Sequence, residues 1–284
     1  MLNLKAIDKV LEMALAEDAP WGDITSNYLI SAEATAHAKL VAREPGIFSG
    51  GQVFERAFQL TDPNSKVVLH LADGDAFAIG DTIAEVWSNA RALLTAERVA
   101  LNLTQRMSGI STLTAQYVAA VSGTKARIAD TRKTTPGLRV LERHAVLCGG
   151  AHNHRFSLSD AVLAKDNHLA VLTAGGKDLT TELLRVRSEL PHTTHLEVEV
   201  DRIDQIAAVL AAKVDTIMLD NFTLDQLREG VALIGDNANV EASGGVNLST
   251  VKAIAETGVD IISVGALTHS ARALDLGLDV SITA

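Results

Sequence analysis

The stretch HLEVEVDR, residues 195–202, decides how the fold is interpreted. Leucine and valine alternate there with Glu197 and Glu199, and this two-residue period predicts a β-strand. Strands of a parallel α/β sheet are usually apolar on both faces because helices cover both. Two carboxylates on one face therefore point either to a functional site or to the exposed face of an antiparallel strand, and the stretch alone leaves both interpretations open.

The chain around this stretch has the rhythm of a parallel α/β protein. From about residue 125 onward, short apolar runs alternate with helical segments, and the runs are ARIAD, AVLAKD, HLEVEV, VDTIMLD, NVEAS and VDIISVG. This order predicts right-handed βαβ units and a parallel sheet. Recurrence over such a length favours a closed or nearly closed barrel, although a doubly wound sheet produces the same rhythm.

The first part of the chain is patterned differently. An amphipathic helix is predicted near the start, followed by short β-rich runs with Gly and Asp turns, as in antiparallel or mixed sheets. A long helical segment follows, in which Ser108 and Gly109 predict a break. The segment 271–284 is predicted to form a strand that could return to this N-terminal domain.

Composition excludes several classes of protein. The formal net charge of −10 argues against duplex nucleic acid or an anionic membrane as a general partner. No apolar run approaches the ~20 residues that span a bilayer, and the first residues do not resemble a signal peptide. The single cysteine, Cys148, rules out an intrachain disulfide framework. We expect a cytoplasmic protein.

Ionisable residues are concentrated where the predicted strands end, which is where α/β barrels place their active sites. Four cations, Arg132, Lys133, Arg155 and Lys165, are expected to converge and to bind carboxylate or phosphate oxygens. Glu199, Asp220 and Glu241 could face them and hold hydroxyl groups, a divalent cation or a developing positive charge. The combination indicates a phosphorylated, sugar-like polyanion with a second anionic group nearby.

Glycines late in the barrel add a phosphate-binding signal. SGG (243–245) and VGA (264–266) bring backbone N–H groups to helix starts. Glycine pairs also mark ordinary turns, and a lone charged residue such as Arg98 is by default solvated on a helix. Zinc at Cys148, His152 and His154 is disfavoured, because a tetrahedral site needs four ligands at better-defined spacing.

Several long motifs together resemble the bacterial quinolinate phosphoribosyltransferases. They are AERVALNLTQRMSGIST, DTRKTTPGLRVLERHAV, CGGAHNHRFSLSDAVLAKDNH, EVEVD, IMLDN, EASGGVN and ETGVDIISVGALTHSARALDLGLD. The resemblance runs in order from EDAPWGDITS to the end of the sequence. It implies an α/β protein with an N-terminal α+β sandwich-like domain (1–112, joined by 271–284) and an incomplete parallel (β/α) barrel (113–270).

The resemblance also implies an activity. Phosphoribosyl pyrophosphate, with Mg²⁺ on its pyrophosphate, would react with quinolinate to give nicotinate mononucleotide, pyrophosphate and CO₂ in NAD biosynthesis. Members work as dimers, sometimes larger, with shared active sites. Two alternatives stay open: a related phosphoribosyltransferase acting on another anionic ring, and a non-catalytic sensor of phosphate ligands on the same fold.

Site residues follow from matching motifs. Arg98 would reach the pyridine dicarboxylate across the dimer interface, and Glu199 and Asp220 would face the phosphoribosyl donor, close to its Mg²⁺. Ala151 departs from the family, in which many relatives have a third glycine. The predicted catalytic residues are Lys133, Lys165, Glu199 and Asp220. The other predicted binding residues are Thr131, Arg132, His154 and Arg155 at the dicarboxylate pocket, and Ser243, Gly244, Gly245, Gly265 and Ala266 at the sugar phosphate.

Overall fold

The structure, a computed structural model, describes residues 2–283 and divides into two compact units. The first comprises residues up to 115 together with 134–150 and 267 onward, and the second comprises 116–133 and 151–266. The segment 134–150 thus groups with the first unit. The domain boundaries expected near residues 112 and 270 stay a prediction.

Helices and strands follow one another along the described chain in the order of their numbers. The helices are α1 (Leu4–Asp18), α2 (Ile24–Leu29), α3 (Gly51–Thr61), α4 (Ala90–Ala120), α5 (Arg139–Cys148), α6 (Asp166–Leu172), α7 (Leu179–Glu189), α8 (Ile206–Ala211), α9 (Leu224–Ile234), α10 (Val251–Ala255) and α11 (Ala266–His269). The strands are β1 (Thr35–Ala42), β2 (Gly46–Ile47), β3 (Lys66–Leu69), β4 (Ala76–Phe77), β5 (Thr82–Asn89), β6 (Arg127–Ala129), β7 (Val162–Ala164), β8 (Leu196–Val200), β9 (Thr216–Asp220), β10 (Asn239–Ser243), β11 (Ile261–Ser263) and β12 (Leu276–Thr283). Short 3₁₀ turns lie at Ile203–Gln205 and Gly235–Asn237.

The first unit is built on an antiparallel sheet with strand order β12-β1-β5-β3. Strand β1 alternates buried and more exposed residues, as a sheet with one face on a core should. Helix α1 begins after Asn3, whose side chain caps it, and buries Ile7 and Leu11 as the apolar spacing predicts. Strand β12 pairs with β1 from Thr35 opposite Thr283 onward, so the predicted returning strand is confirmed.

Helix α4 has no break at Ser108 and Gly109, so that prediction was wrong. A Cβ at Gly109 would overlap the carbonyl oxygen of Arg272. The hydroxyl of Ser108 donates to the carbonyl of Ser49, 3.3 Å away. These small residues therefore allow neighbouring backbone to approach a continuous helix, which is a packing requirement and not a helix stop.

The second unit contains a six-stranded parallel sheet with order β6-β11-β10-β9-β8-β7. This confirms the predicted α/β class and its incomplete barrel. Strands β6 and β7 lie at the two edges of this strand order, and His152 bridges to Ala129, the last residue of β6, by a single parallel pair. Strand β8 is buried apart from the partly accessible Glu199, which excludes the exposed antiparallel interpretation. Among the residues described, no helix combines the length and hydropathy of a membrane-spanning segment.

Candidate active site

A cavity of about 590 Å³ opens in the second unit where its parallel strands end. This is the end of a β/α barrel at which ligands bind. It brings together most of the predicted site residues from separate strand ends. Its lining comprises Thr131, Arg132, Lys133, His154, Arg155, Leu163, Lys165, Glu199, Met218, Asp220, Asn221, Ser243, Gly244, Gly245 and Ser263.

Two arginines, Arg132 and Arg155, form an arginine pair on one wall of this cavity. The Nε of Arg132 is buried and has no hydrogen-bond partner among the described residues. One guanidinium nitrogen of Arg155 donates to the carbonyl of Ala161 at 2.9 Å. Burial and the like charge of Arg132 lower the pKa of Arg155. Two cations held close together against their repulsion make a site for an anion with more than one negative oxygen.

Acidic residues and a lysine line another part of the cavity. The Nζ of Lys165 lies 2.5 Å from Oε2 of Glu199, and this ion pair is half-exposed on the lysine side. Asp220 accepts a hydrogen bond of 2.7 Å from the side chain of Asn221. Lys133 is held near Thr131, whose hydroxyl accepts its backbone N–H at 3.1 Å. These groups offer both charges to a ligand that carries hydroxyls and phosphates.

A tight backbone turn follows β10 and completes the lining. Gly244 and Gly245 adopt φ of +93° and +63°, and Asn221 also has a positive φ of +57°. A Cβ at Gly244 would overlap Oδ1 of Asn221, so glycine is required there for space as well as for backbone conformation. Side chains are thereby kept away from this edge of the cavity.

Three predicted residues lie outside the cavity lining. Gly265 and Ala266 follow β11, but Ser263, at the end of that strand, lines the cavity. Arg98 is exposed on α4 and lines a separate depression of about 320 Å³ in the first unit, with residues of α1 and the turn Pro136–Leu138. The role predicted for Arg98 stays a prediction.

Glu197 and Glu241, the buried acidic pair, lie beneath this cavity and do not line it. Oε2 of Glu197 is 3.1 Å and Oε1 of Glu241 is 3.5 Å from Nε2 of His154. Glu241 also accepts a hydrogen bond from Ser263. The structure places Glu241 outside the cavity lining, buried against His154 and Ser263, and the expectation that it could face the ligand stays a prediction. Sequence reasoning missed Ser263, and it left Glu197 out of the predicted site residues although the alternation in HLEVEVDR had drawn attention to it.

The partners of the two ring nitrogens of His154 favour different protonation states of the ring. Burial opposes protonation, but the hydrogen bonds to Glu197 and Glu241 outweigh burial and raise its pKa to about 10. A ring protonated at both nitrogens cannot accept at Nδ1, yet the backbone N–H of Arg155 lies 2.7 Å from that atom. This hydrogen bond requires an acceptor at Nδ1. It places the ring proton on Nε2, between the carboxylates.

A second and larger depression, of about 1170 Å³, lies where strands of the same sheet begin. Lys125, His195, Asp215 and Asn239 contribute to its lining. Lys125, one of the cations there, is paired with Asp260 at 2.7 Å. Because barrels act at the carboxyl ends of their strands, the smaller cavity is the candidate active site.

Two family models cover this chain. The N-terminal domain of quinolinate phosphoribosyl transferase matches residues 23–108, and the C-terminal domain of the same family matches residues 110–279. The chain belongs to the quinolinate phosphoribosyltransferase family. The resemblance inferred from the motifs is thus confirmed.

Known members of the quinolinate phosphoribosyltransferase family match along nearly the whole chain. A probable nicotinate-nucleotide pyrophosphorylase (carboxylating) of Bacillus subtilis is 40% identical over 282 residues, covering 99% of this chain and 96% of that protein. The nicotinate-nucleotide pyrophosphorylase (carboxylating) of Mycobacterium leprae is 41% identical over 278 residues, covering 95% of each. The crystal structure of NadC from Streptococcus pyogenes superposes with a TM-score of 0.93 at 38% identity, covering 100% of this chain and 98% of that one.

Proposed function

We propose that this protein transfers the phosphoribosyl group of phosphoribosyl pyrophosphate to quinolinate. The ring then loses one carboxylate, giving nicotinate mononucleotide, pyrophosphate and CO₂ for de novo NAD biosynthesis. Membership of a family of pentosyltransferases supports the reaction class. The arginine pair carries the choice of substrate, because it offers two adjacent guanidinium groups within one small cavity.

The arginine pair suits a ring with two neighbouring carboxylates. Each guanidinium can form two parallel hydrogen bonds to one carboxylate, and the buried Nε of Arg132 is without a partner in the described protein. A ring with one carboxylate would leave part of this cationic surface unpaired. The pair therefore favours a dicarboxylate over a monocarboxylate such as nicotinate.

The acidic part of the cavity suits the phosphoribosyl donor. Glu199 and Asp220 can accept hydrogen bonds from ribose hydroxyls and stabilise positive charge on the sugar. We propose that Mg²⁺ arrives on the pyrophosphate of the donor, and the carboxylate oxygens of these two residues are the kind of ligand that it prefers. The glycine turn at Gly244 and Gly245 offers room for the sugar phosphate beside exposed backbone.

In the proposed reaction the pyridine nitrogen attacks the anomeric carbon of ribose while the bond to pyrophosphate breaks. Holding the two reactants in register can remove roughly 7–11 kcal/mol of the barrier. Lys133 and Lys165 are placed to offset negative charge on the reactants, whereas Glu199 and Asp220 offset positive charge on the sugar. The quaternised ring then releases its adjacent carboxylate as CO₂, since the cationic nitrogen stabilises the carbanion left behind, which takes up a proton. No covalent enzyme nucleophile is needed.

We also propose a homodimer with shared active sites, in which Arg98 contributes to the quinolinate pocket of the other subunit. The exposure of Arg98 on α4 supports this assignment, because the side chain is accessible to a second chain. A cytoplasmic location is proposed from the single thiol, Cys148, which suits a reducing compartment.

The test is an assay of CO₂ and pyrophosphate release from quinolinate and phosphoribosyl pyrophosphate, with Mg²⁺ and after chelation. We expect equal amounts of both products with quinolinate, and no release after chelation. Nicotinate serves as the matched substrate with one carboxylate. Turnover of nicotinate with equal efficiency, or pyrophosphate release without CO₂, would contradict the proposal.

A further inference from the structure

Three ionisable residues beneath the cavity have no part in the reaction as proposed above. They are His154 and the buried acidic pair, Glu197 and Glu241, which are 4% and 2% exposed respectively. One ligand-type atom from each residue lies within 4.8 Å of the others. They come from the loop after His152 and from strands β8 and β10, so segments far apart in the chain meet at this point.

The buried acidic pair is costly for the fold. Two carboxylates taken out of water lose hydration that a single imidazole repays only in part, and apolar residues of similar size would usually be as stable or more stable. Oε1 of Glu197 has no hydrogen-bond partner among the described residues. Burial and the neighbouring charge of Glu241 raise the pKa of Glu197, because both disfavour its charged form. Packing alone gives no reason for such a pair.

The pair is connected to the arginine pair through His154. Nε2 of His154 faces both carboxylates, while Nδ1 accepts the backbone N–H of Arg155 at 2.7 Å. The backbone N–H of His154 donates to Oδ1 of Asp130, also at 2.7 Å. The backbone at residues 154–155 is thus held by two hydrogen bonds, one from the N–H of Arg155 to the ring of His154 and one from the N–H of His154 to Asp130. A carboxylate behind a histidine is the usual means of fixing which nitrogen carries the proton.

The connection matters because Arg155 is held against a like charge. Arg132 disfavours the charged form of Arg155, whereas the negative charge of Glu197 favours it. A flexible Arg155 would move away from Arg132 in the empty site, and quinolinate would then have to order it on binding. The hydrogen bonds of His154 hold the backbone of Arg155, and the negative charge of Glu197 below the cavity offsets the repulsion, so this ordering cost is removed.

We propose that Glu197 and Glu241 are positioning residues for the dicarboxylate: they hold His154 from below, fix the backbone at residues 154–155 and keep Arg155 beside Arg132 before the substrate arrives. The inference rests on the proposed function and names the residues that prepare its quinolinate pocket. Neither carboxylate lines the cavity, so neither contacts the phosphoribosyl donor directly.

The test compares Glu197→Gln and Glu241→Gln with wild type. Glutamine keeps the shape and an acceptor for His154 but removes the charge. Carboxylates behind metal-ligating histidines typically contribute about 10- to 100-fold to metal affinity or activity. By analogy with the low end of that range, we expect the quinolinate KM to rise about tenfold. The KM for phosphoribosyl pyrophosphate and the kcat at saturation should stay within about threefold of wild type, because uniform binding of one substrate is what is lost.

Asp215→Asn is the matched control, since Asp215 is a carboxylate at the start of β9 that pairs with Arg187 at 2.5 Å, at the opposite end of the same sheet. It should lower the free energy of unfolding without raising the quinolinate KM. A double-mutant cycle adds a second readout. In an Arg155→Ala background, Glu197→Gln should change the quinolinate KM by less than about twofold, because residues that act through one another are not additive.

The outcomes separate the inference from the proposed function. Absence of CO₂ release by the wild-type enzyme would overturn the function itself. With an active wild type, an unchanged quinolinate KM in both glutamine variants overturns the positioning role. Equal losses for both substrates, or losses that match those of Asp215→Asn at equal stability, also overturn it. If Glu197→Gln does not fold, Glu241→Gln decides the question by the same two KM values.

Discussion

Removing the side chain of Arg132 tests the arginine pair most directly. Each hydrogen bond from a guanidinium to a carboxylate contributes roughly 1.5–3 kcal/mol, so a two-bond fork contributes about 3–6 kcal/mol. Part of this is returned in Arg132→Ala, because Arg155 loses its like-charged neighbour and can approach the substrate more freely. A net loss of about 3–4 kcal/mol corresponds to a quinolinate KM raised about 10²- to 10³-fold.

The assay is the initial rate of CO₂ release with quinolinate varied at saturating phosphoribosyl pyrophosphate. The free energy of unfolding should change by less than about 1 kcal/mol, since the Nε of Arg132 makes no hydrogen bond to the described protein. Arg185→Ala is the matched control, because Arg185 is half-exposed on α7 and its ion pairs are with Glu182 and Glu189 on the same helix. A quinolinate KM within threefold of wild type for Arg132→Ala would refute the reasoning.

Three further predictions concern the assembly, the glycine turn and the first unit. Arg98→Ala and Lys165→Ala chains should each be inactive alone. Verified mixed dimers should regain about half of the wild-type activity, because one of their two sites keeps both residues; inactive mixed dimers would exclude a shared site. Gly244→Ala should cost about 1–3 kcal/mol of stability through strain at its φ of +93° and raise the KM for phosphoribosyl pyrophosphate; an unchanged melting temperature and KM would show that the turn adapts. Burial opposes protonation of His144, but its hydrogen bond to Asp73 outweighs burial and raises its pKa to about 9. This stabilisation is complete below the unfolded pKa near 6.5 and is lost as pH rises through about 9. In urea unfolding, the free energy of unfolding of wild type should therefore fall by up to about 3 kcal/mol relative to that of His144→Gln between these pH values. Parallel pH profiles of the two proteins would contradict this.

The fold of the second unit could be predicted from sequence because its strands are short, apolar and regularly spaced. Each predicted run from ARIAD to VDIISVG contains one strand of the parallel sheet. Glycines were harder to interpret, because a glycine in a helix and a glycine at a helix end look alike in one dimension. Gly109 leaves room for the backbone of residue 272, which packs where a Cβ would lie. No local sequence pattern shows a contact between residues so far apart in the chain.

Residues that line the cavity could be predicted from the sequence, whereas the contacts of the buried residues behind them could not. Residues at strand ends, such as Lys165 and Asp220, were expected from position alone and do line the cavity. Glu197 is two residues earlier on the same face of β8 as Glu199, and the position of Glu199 nearer the carboxyl end of the strand was enough to predict that it reaches the cavity. The partner of Glu197 could not be predicted in this way, because His154, whose Nε2 lies 3.1 Å from Oε2 of Glu197, comes from a distant loop.

The pairing of β12 with β1 has a consequence for how the protein is made. Arg43 and Asp279, which contact each other at the end of this pair, are 236 residues apart in the chain. At roughly 5–20 residues per second, a ribosome leaves β1 without its neighbour for more than about ten seconds. During that interval its bonding edge is open to other nascent strands, a known route to aggregation. Residues 276–283 cover this edge only late in synthesis, so slower translation of the whole chain should increase its dependence on chaperones.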